Sequence, residues 1–186
     1  REIQIVGFSF HVVIPCRYNS TRLPGKPLLD IGGKTLIEHV YDSAINSKAE
    51  RVTFATDDER IEEAVRSFGA EVIMTSGKHR SGTDRIAEAI KLIDIAEDMI
   101  VVNVQGDEFA LPSALINQLA SALNDNPEKK MATLCEKITG HEDLENPHVV
   151  KVVRDKENNA IYFSRATIPF PQNSVKTNIP DKIHYR

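Results

Sequence analysis

Apolar residues along this chain follow two rhythms. Phe10–Pro15, Val52–Ala55 and Glu71–Thr75 are short runs rich in β-branched residues, the pattern of buried strands. Between them, apolar positions recur at three- and four-residue steps, the period of a helix with one buried face. Leu36, Ile37, Val40, Tyr41, Ala44 and Ile45 make one such face, in a helix opened by Thr35, which stands in capping-box spacing with Glu38. Asp57 or Asp58 caps a second helix from about Glu59 to Phe68, and Gly69 stops it. A third runs from about Thr83 to Leu92 and a fourth from Pro112 to Leu123. Met99–Val104, the most continuously apolar run, predicts a central parallel strand covered on both faces. Strands alternating with helices in this way predict an α/β sandwich around a mostly parallel sheet.

The texture changes after Met131. Met131–Ile138, Val149–Asp155 and Ala160–Ile168 are strand-like, and Glu157-Asn158-Asn159 supplies turn chemistry between the last two, so a small antiparallel subregion is expected. Pro169, Pro171 and Pro180 interrupt the final stretch, which has no hydrophobic period. The reading is therefore an α/β domain over 1–168 and an irregular tail over 169–186.

Composition narrows the function classes. With 186 residues, 41% apolar, 27% charged and a mean hydropathy of -0.29, the chain can fill a core and keep a wet surface, which argues against disorder. A net charge of -4 argues against general binding to nucleic acid. No apolar run approaches the length needed to cross a bilayer, and the first residues lack a signal peptide's layout, so no membrane partner is expected. Cys16 and Cys135 form no Cys-x-x-Cys motif and no zinc-spaced cluster, which fits a reduced, cytoplasmic setting.

Candidate chemistry sits in three loops. Between His11 and Lys34 lie Arg17, Arg22, Lys26 and Lys34 against a single acid, Asp30. Cations after the first strand of a parallel sheet stand where such folds meet phosphate, and Gly25 between Pro24 and Pro27 makes the loop both approachable and stiff. Gly32-Gly33-Lys34-Thr35 imitates the end of a Walker loop, but the required first glycine falls at Leu28, so it reads as a turn before a capped helix. Beyond the apolar run ending at Val104, Gln105-Gly106-Asp107-Glu108 puts acids on the same sheet edge, where Asp107 suits magnesium shared with phosphate oxygens. In His79–Arg85, Ser81 and Asp84 again have capping-box spacing. Ser81 is thus either a cap or a contact to a base or ribose, and spacing leaves both open.

Together these segments resemble the nucleotide-activating sugar transferases, and most closely the 3-deoxy-manno-octulosonate (Kdo) cytidylyltransferases, the CMP-Kdo synthetases. The resemblance is carried, in family order, by Ile14-Pro15-Cys16-Arg17-Tyr18-Asn19-Ser20-Thr21-Arg22-Leu23-Pro24-Gly25-Lys26-Pro27, Ala55-Thr56-Asp57, Ser81-Gly82-Thr83-Asp84-Arg85, Asn103-Val104-Gln105-Gly106-Asp107-Glu108 and Tyr162-Phe163-Ser164-Arg165-Ala166-Thr167-Ile168-Pro169. Cys16 stands where alanine is common in that family, and Phe109 where proline usually follows Asp-Glu.

The resemblance implies a Rossmann-like three-layer fold of the nucleotide-diphospho-sugar transferase type, and transfer of a cytidylyl group from CTP to Kdo, giving CMP-Kdo and pyrophosphate for lipopolysaccharide. It implies that Arg17, Ser20, Arg22 and Lys26 meet the nucleotide, that Thr56, Ser81 and Gln105 lie around the cytidine, that Asp107 binds Mg2+, and that Arg165 meets the sugar acid's carboxylate. It also implies a homodimer at full length, and a family sequence that continues past Arg186 with further sugar, dimer and metal residues. Activation of a sialic acid or a sugar phosphate, or CTP binding without turnover, would use the same loops and stays open.

Overall fold

The computed structural model describes residues 8–19, 23–169 and 185–186, and compact contacts divide it into two units, Arg1–Ala132 and Thr133–Arg186. That division precedes the boundary read at residue 168. Residues 170–184 of the expected tail lie outside the described residues.

In the first unit, β1 (Phe10–Pro15) leads through a 3-10 turn at Lys26–Leu28 to a small hairpin, β2 (Asp30–Ile31) and β3 (Lys34–Thr35), and then to α1 (Leu36–Ile45). β4 (Arg51–Thr56), α2 (Glu59–Ser67), β5 (Glu71–Met74), α3 (Gly82–Leu92), β6 (Ile100–Asn103) and α4 (Ser113–Asn124) follow. The helix starts obey their caps: Thr35 Oγ1 accepts from the Glu38 N–H, Asp58 from Arg60 and Ser81 from Asp84. Asp58, and not Asp57, is thus the cap of α2.

The parallel strands lie in the order β5-β4-β1-β6. Alternation along β1 sends Phe10, Val12 and Ile14 into a large core with Ile37, Val40, Phe54, Ile61, Val65, Val102 and Ile116, under α1, α2 and α4. Val13 and Ala55 point the other way, against Ile86 and Ala89 of α3. Helices thus cover both faces, as a three-layer sandwich requires. One sequence expectation fails: β6 is an edge strand among the described residues, and β1 and β4 are central. A run covered by helices on both faces is apolar throughout whether or not a further strand lies beside it, so hydropathy could not separate the two cases.

The second unit holds α5 (His141–Glu145) and the antiparallel pair β7 (Lys151–Arg154) and β8 (Ala160–Ser164), with Asn158 at positive φ in the turn. Met131–Ile138 forms no strand; only Lys137 makes an isolated bridge, to Tyr185. Most of its apolar positions find no covered face, Met131 being 88% exposed, and Ile138 at its end is the one that is buried. Tyr185 also makes an isolated bridge to Val152, so it pairs with two segments of the second unit.

Candidate functional site

From β1 the chain runs to β4 and β5 on one side, and β6 lies on the other. The loops leaving the carboxyl ends of β1 and β6 must therefore part, and such a switch point is where open α/β sheets bind ligands. A cleft of about 360 Å³ lies there, lined from the β1 loop by Arg17, Asn19 and Lys26, from the start of α3 by Gly82, and after β6 by Gln105 and Asp107.

The two arms touch. Lys26 Nζ donates to Asp107 Oδ2 at 2.6 Å, with both side chains partly exposed at 39% and 54%. Pairs this exposed contribute about 0–1 kcal/mol, so each partner is easily exchanged for a ligand. Arg17 lines the same cleft, and its Nη2 is buried without a hydrogen-bond partner among the described residues. A guanidinium nitrogen removed from water and unpaired is suited to accept an anion.

The arms are held from below. Cys16 is buried, and its Sγ packs so tightly on Gly106 that a Cβ there would lie 2.3 Å away. Burial above all, with Asp107 adding and Arg85 opposing, pushes the Cys16 thiol up to about 12, so it stays protonated and acts as packing. Gln105 donates through Nε2 to Asn103 Oδ1 and lies beside Gly82, while its own N–H is taken by Glu108 Oε2. Burial raises the Glu108 pKa, followed by the Asp107 charge, against the opposing hydrogen bond from Gln105.

Of the residues expected from sequence, Arg17, Lys26, Gln105 and Asp107 converge on the cleft. Ser81 is the α3 cap and also donates to Asp84 Oδ2, one residue from the cleft-lining Gly82. Thr56 is fully buried, its Oγ1 accepting from the Asp58 N–H. Ser20 and Arg22 lie outside the described residues. Arg165 belongs to the second unit, where its Nη1 donates to the Pro147 carbonyl.

Sequence reasoning missed Arg85. It is fully buried on α3, with Nη1 donating to Thr75 Oγ1 at 2.5 Å and Nη2 3.0 Å from Asp57 Oδ2, so it ties the ends of β4 and β5 together. The signal was present: Arg85 adjoins Ile86 and precedes Ala89 by one turn, which places a cation on the helix's buried face.

Asp107 is the acidic side chain that lines the cleft. Asp107 offers a half-exposed carboxylate on the cleft, engaged at one oxygen by Lys26, and no group of three acidic, histidine or cysteine side chains capable of holding a metal occurs among the described residues. A single carboxylate completed by substrate phosphates and water is the donor set magnesium accepts. No helix among the described residues is long and apolar enough to cross a membrane.

Comparison with known proteins places the chain in a family. The 3-deoxy-manno-octulosonate cytidylyltransferase of Cellvibrio japonicus is 55% identical over 165 residues, 89% of this chain and 65% of that protein. Its counterpart from Marinobacter nauticus is 53% identical over 184 residues, covering 95% and 70%. The chain thus spans 65% of the length of the first of these relatives. Among solved structures, a CMP:2-keto-3-deoxy-manno-octonic acid synthetase complexed with CTP superposes with a TM-score of 0.83 at 42% identity, over 95% of this chain and 73% of the other. The cytidylyltransferase family model matches residues 11–180, from the second residue of β1 to well past β8, and the chain belongs to that family.

Proposed function

We propose that this chain carries the nucleotide site of an enzyme that transfers a cytidylyl group from CTP to 3-deoxy-manno-octulosonate, releasing pyrophosphate. The observation that carries the reading is the meeting of Lys26 and Asp107 at the mouth of one cleft, a phosphate-type cation and a metal-type carboxylate 2.6 Å apart at the switch point of the sheet. Relatives at 53–55% identity named for this reaction support it.

In this reading Arg17 and Lys26 hold the triphosphate and offset the charge that would repel an incoming nucleophile. Arg22 and Ser20 belong to the same loop and share the task. Gln105 and the α3 start at Ser81 and Gly82 face the nucleoside, and Thr56 supports them from its buried position through the Asp58 backbone. Asp107 holds Mg2+, which when bound neutralises the phosphate oxygens. The sugar's anomeric hydroxyl attacks the α-phosphorus in line, and the bond to the leaving pyrophosphate breaks; the protein's share is positioning and charge. Arg165 takes the sugar acid's carboxylate, for which a guanidinium fork is the suitable partner. The enzyme works in the cytoplasm, where its free Cys16 and Cys135 remain reduced, and assembles as a homodimer.

Mixing the chain with CTP, 3-deoxy-manno-octulosonate and Mg2+ and following pyrophosphate tests the reading. Release should require all three, and the octulosonate should outcompete sialic acid and sugar phosphates. Calorimetric heat with CTP but no pyrophosphate would leave a nucleotide-binding chain without turnover; neither heat nor release would reject the assignment.

A further inference from the structure

Arg60 does not line the cleft, yet one aromatic ring ties it to the basic loop. Asp58, the cap of α2, takes the Arg60 fork through both oxygens: Nε donates to Oδ1 at 2.9 Å and Nη2 to Oδ2 at 2.7 Å. A two-point grip of this kind fixes the plane of the guanidinium. Its Cζ then lies 3.3 Å over the centre of the Tyr18 ring. The same ring meets Gly25, where a Cβ would fall 3.1 Å from both Tyr18 Cζ and its hydroxyl oxygen. Gly25 sits at φ +73 and donates its N–H to the Tyr18 carbonyl at 2.9 Å, which closes the neck of the loop. Lys26 follows at once, opening the 3-10 turn in which Pro27 is buried.

We propose that Arg60 is a positioning residue for the nucleotide: the Asp58–Arg60–Tyr18 stack holds the loop neck at Gly25 and so fixes the place from which Lys26 meets a triphosphate. This rests on the nucleotide reading of the cleft. A lysine at position 60 keeps the charge but has neither the fork for Asp58 nor the flat face for Tyr18, so stacking and bare charge make different predictions.

Amide hydrogen exchange and CTP calorimetry on the whole chain test it together. In Arg60→Ala, exchange at Gly25 and at Leu28, whose N–H is bonded to the Gly25 carbonyl, should quicken several-fold while Val40 in α1 is unmoved. CTP should bind about two- to fivefold more weakly, the range an exposed stacked cation supplies. Arg60→Lys should match Arg60→Ala, and adding Arg60→Ala to Tyr18→Leu should cost nothing more than Tyr18→Leu alone. Full recovery with lysine, additive losses in the double variant, or parental exchange at Gly25 would each overturn the proposal. Failure of the parent to bind CTP would instead remove the nucleotide reading, and the exchange data would still decide whether Arg60 holds the loop.

Discussion

Cys16 and Gly106 are each followed by a residue that enters the cleft, Arg17 and Asp107, so the contact between them sets how far apart the two arms begin. The obstacle at Gly106 is space: a Cβ would lie 2.3 Å from Cys16 Sγ and 3.1 Å from the Pro15 carbonyl oxygen. Gly106→Ala should therefore destabilise by about 1–3 kcal/mol, as overpacking in a tight interior does. Removing the sulfur leaves the Cys16 Cβ at an ordinary 3.5 Å and only the tight 3.1 Å approach to the Pro15 carbonyl, so Cys16→Ala combined with Gly106→Ala should recover part of that loss. Urea unfolding of the three variants checks this. If the double variant is no better than Gly106→Ala alone, the sulfur is not what excludes a side chain there.

At the opposite end of the sheet, three strands share a polar ladder. Thr53 on β4 donates to Glu71 Oε2 on β5 at 3.2 Å, so the buried His11 of β1, 2.9 Å away through Nε2, must donate to the Thr53 hydroxyl. Burial first, and then the Arg51 charge, lower the His11 pKa below its ordinary 6.5, against opposing pulls from Glu71 and Glu50. A base whose pKa is depressed in the fold binds its proton more readily once unfolded. His11 thus contributes stability above about pH 6.5 that is lost as the pH falls towards its folded value. Thermal melts between about pH 7.5 and 5 should show a steeper loss for the parent than for His11→Gln; parallel curves would mean His11 titrates alike in both states.

The same strands show what could be read in advance. β1 and β4 were legible because each is an unbroken buried run containing β-branched residues, Val12, Val13 and Ile14 in one and Val52 and Thr53 in the other, and α1 and α3 because Thr35 and Ser81 sit three residues before an acid. The convergence of Lys26 and Asp107 followed from loop position in a parallel sheet. Edge placement of β6 and the stack of Arg60 on Tyr18 were not legible, since both depend on elements far apart in sequence coming to lie side by side. The β2–β3 hairpin was half legible: Gly32 and Gly33 both take positive φ in its turn, but two-residue strands leave no hydrophobic period.

For the molecule as a whole, Lys26 and Asp107 cancel each other in the free protein, within a chain of net charge -4. Ligand binding must divide that pair, Lys26 turning to phosphate and Asp107 to the cation. In Asp107→Asn the lysine is released beforehand, so CTP without metal should bind at least as well as to the parent, while the added effect of Mg2+ should vanish. Stability reports this through mass action: a ligand at a hundred times its Kd stabilises by about 2.7 kcal/mol, which in a chain of this size raises Tm by roughly 5–10 °C. Thermal scans with CTP, with and without Mg2+, should therefore show one increment in Asp107→Asn where the parent shows two. A magnesium increment of parental size in that variant would move the metal away from Asp107 and leave the carboxylate only its contact with Lys26.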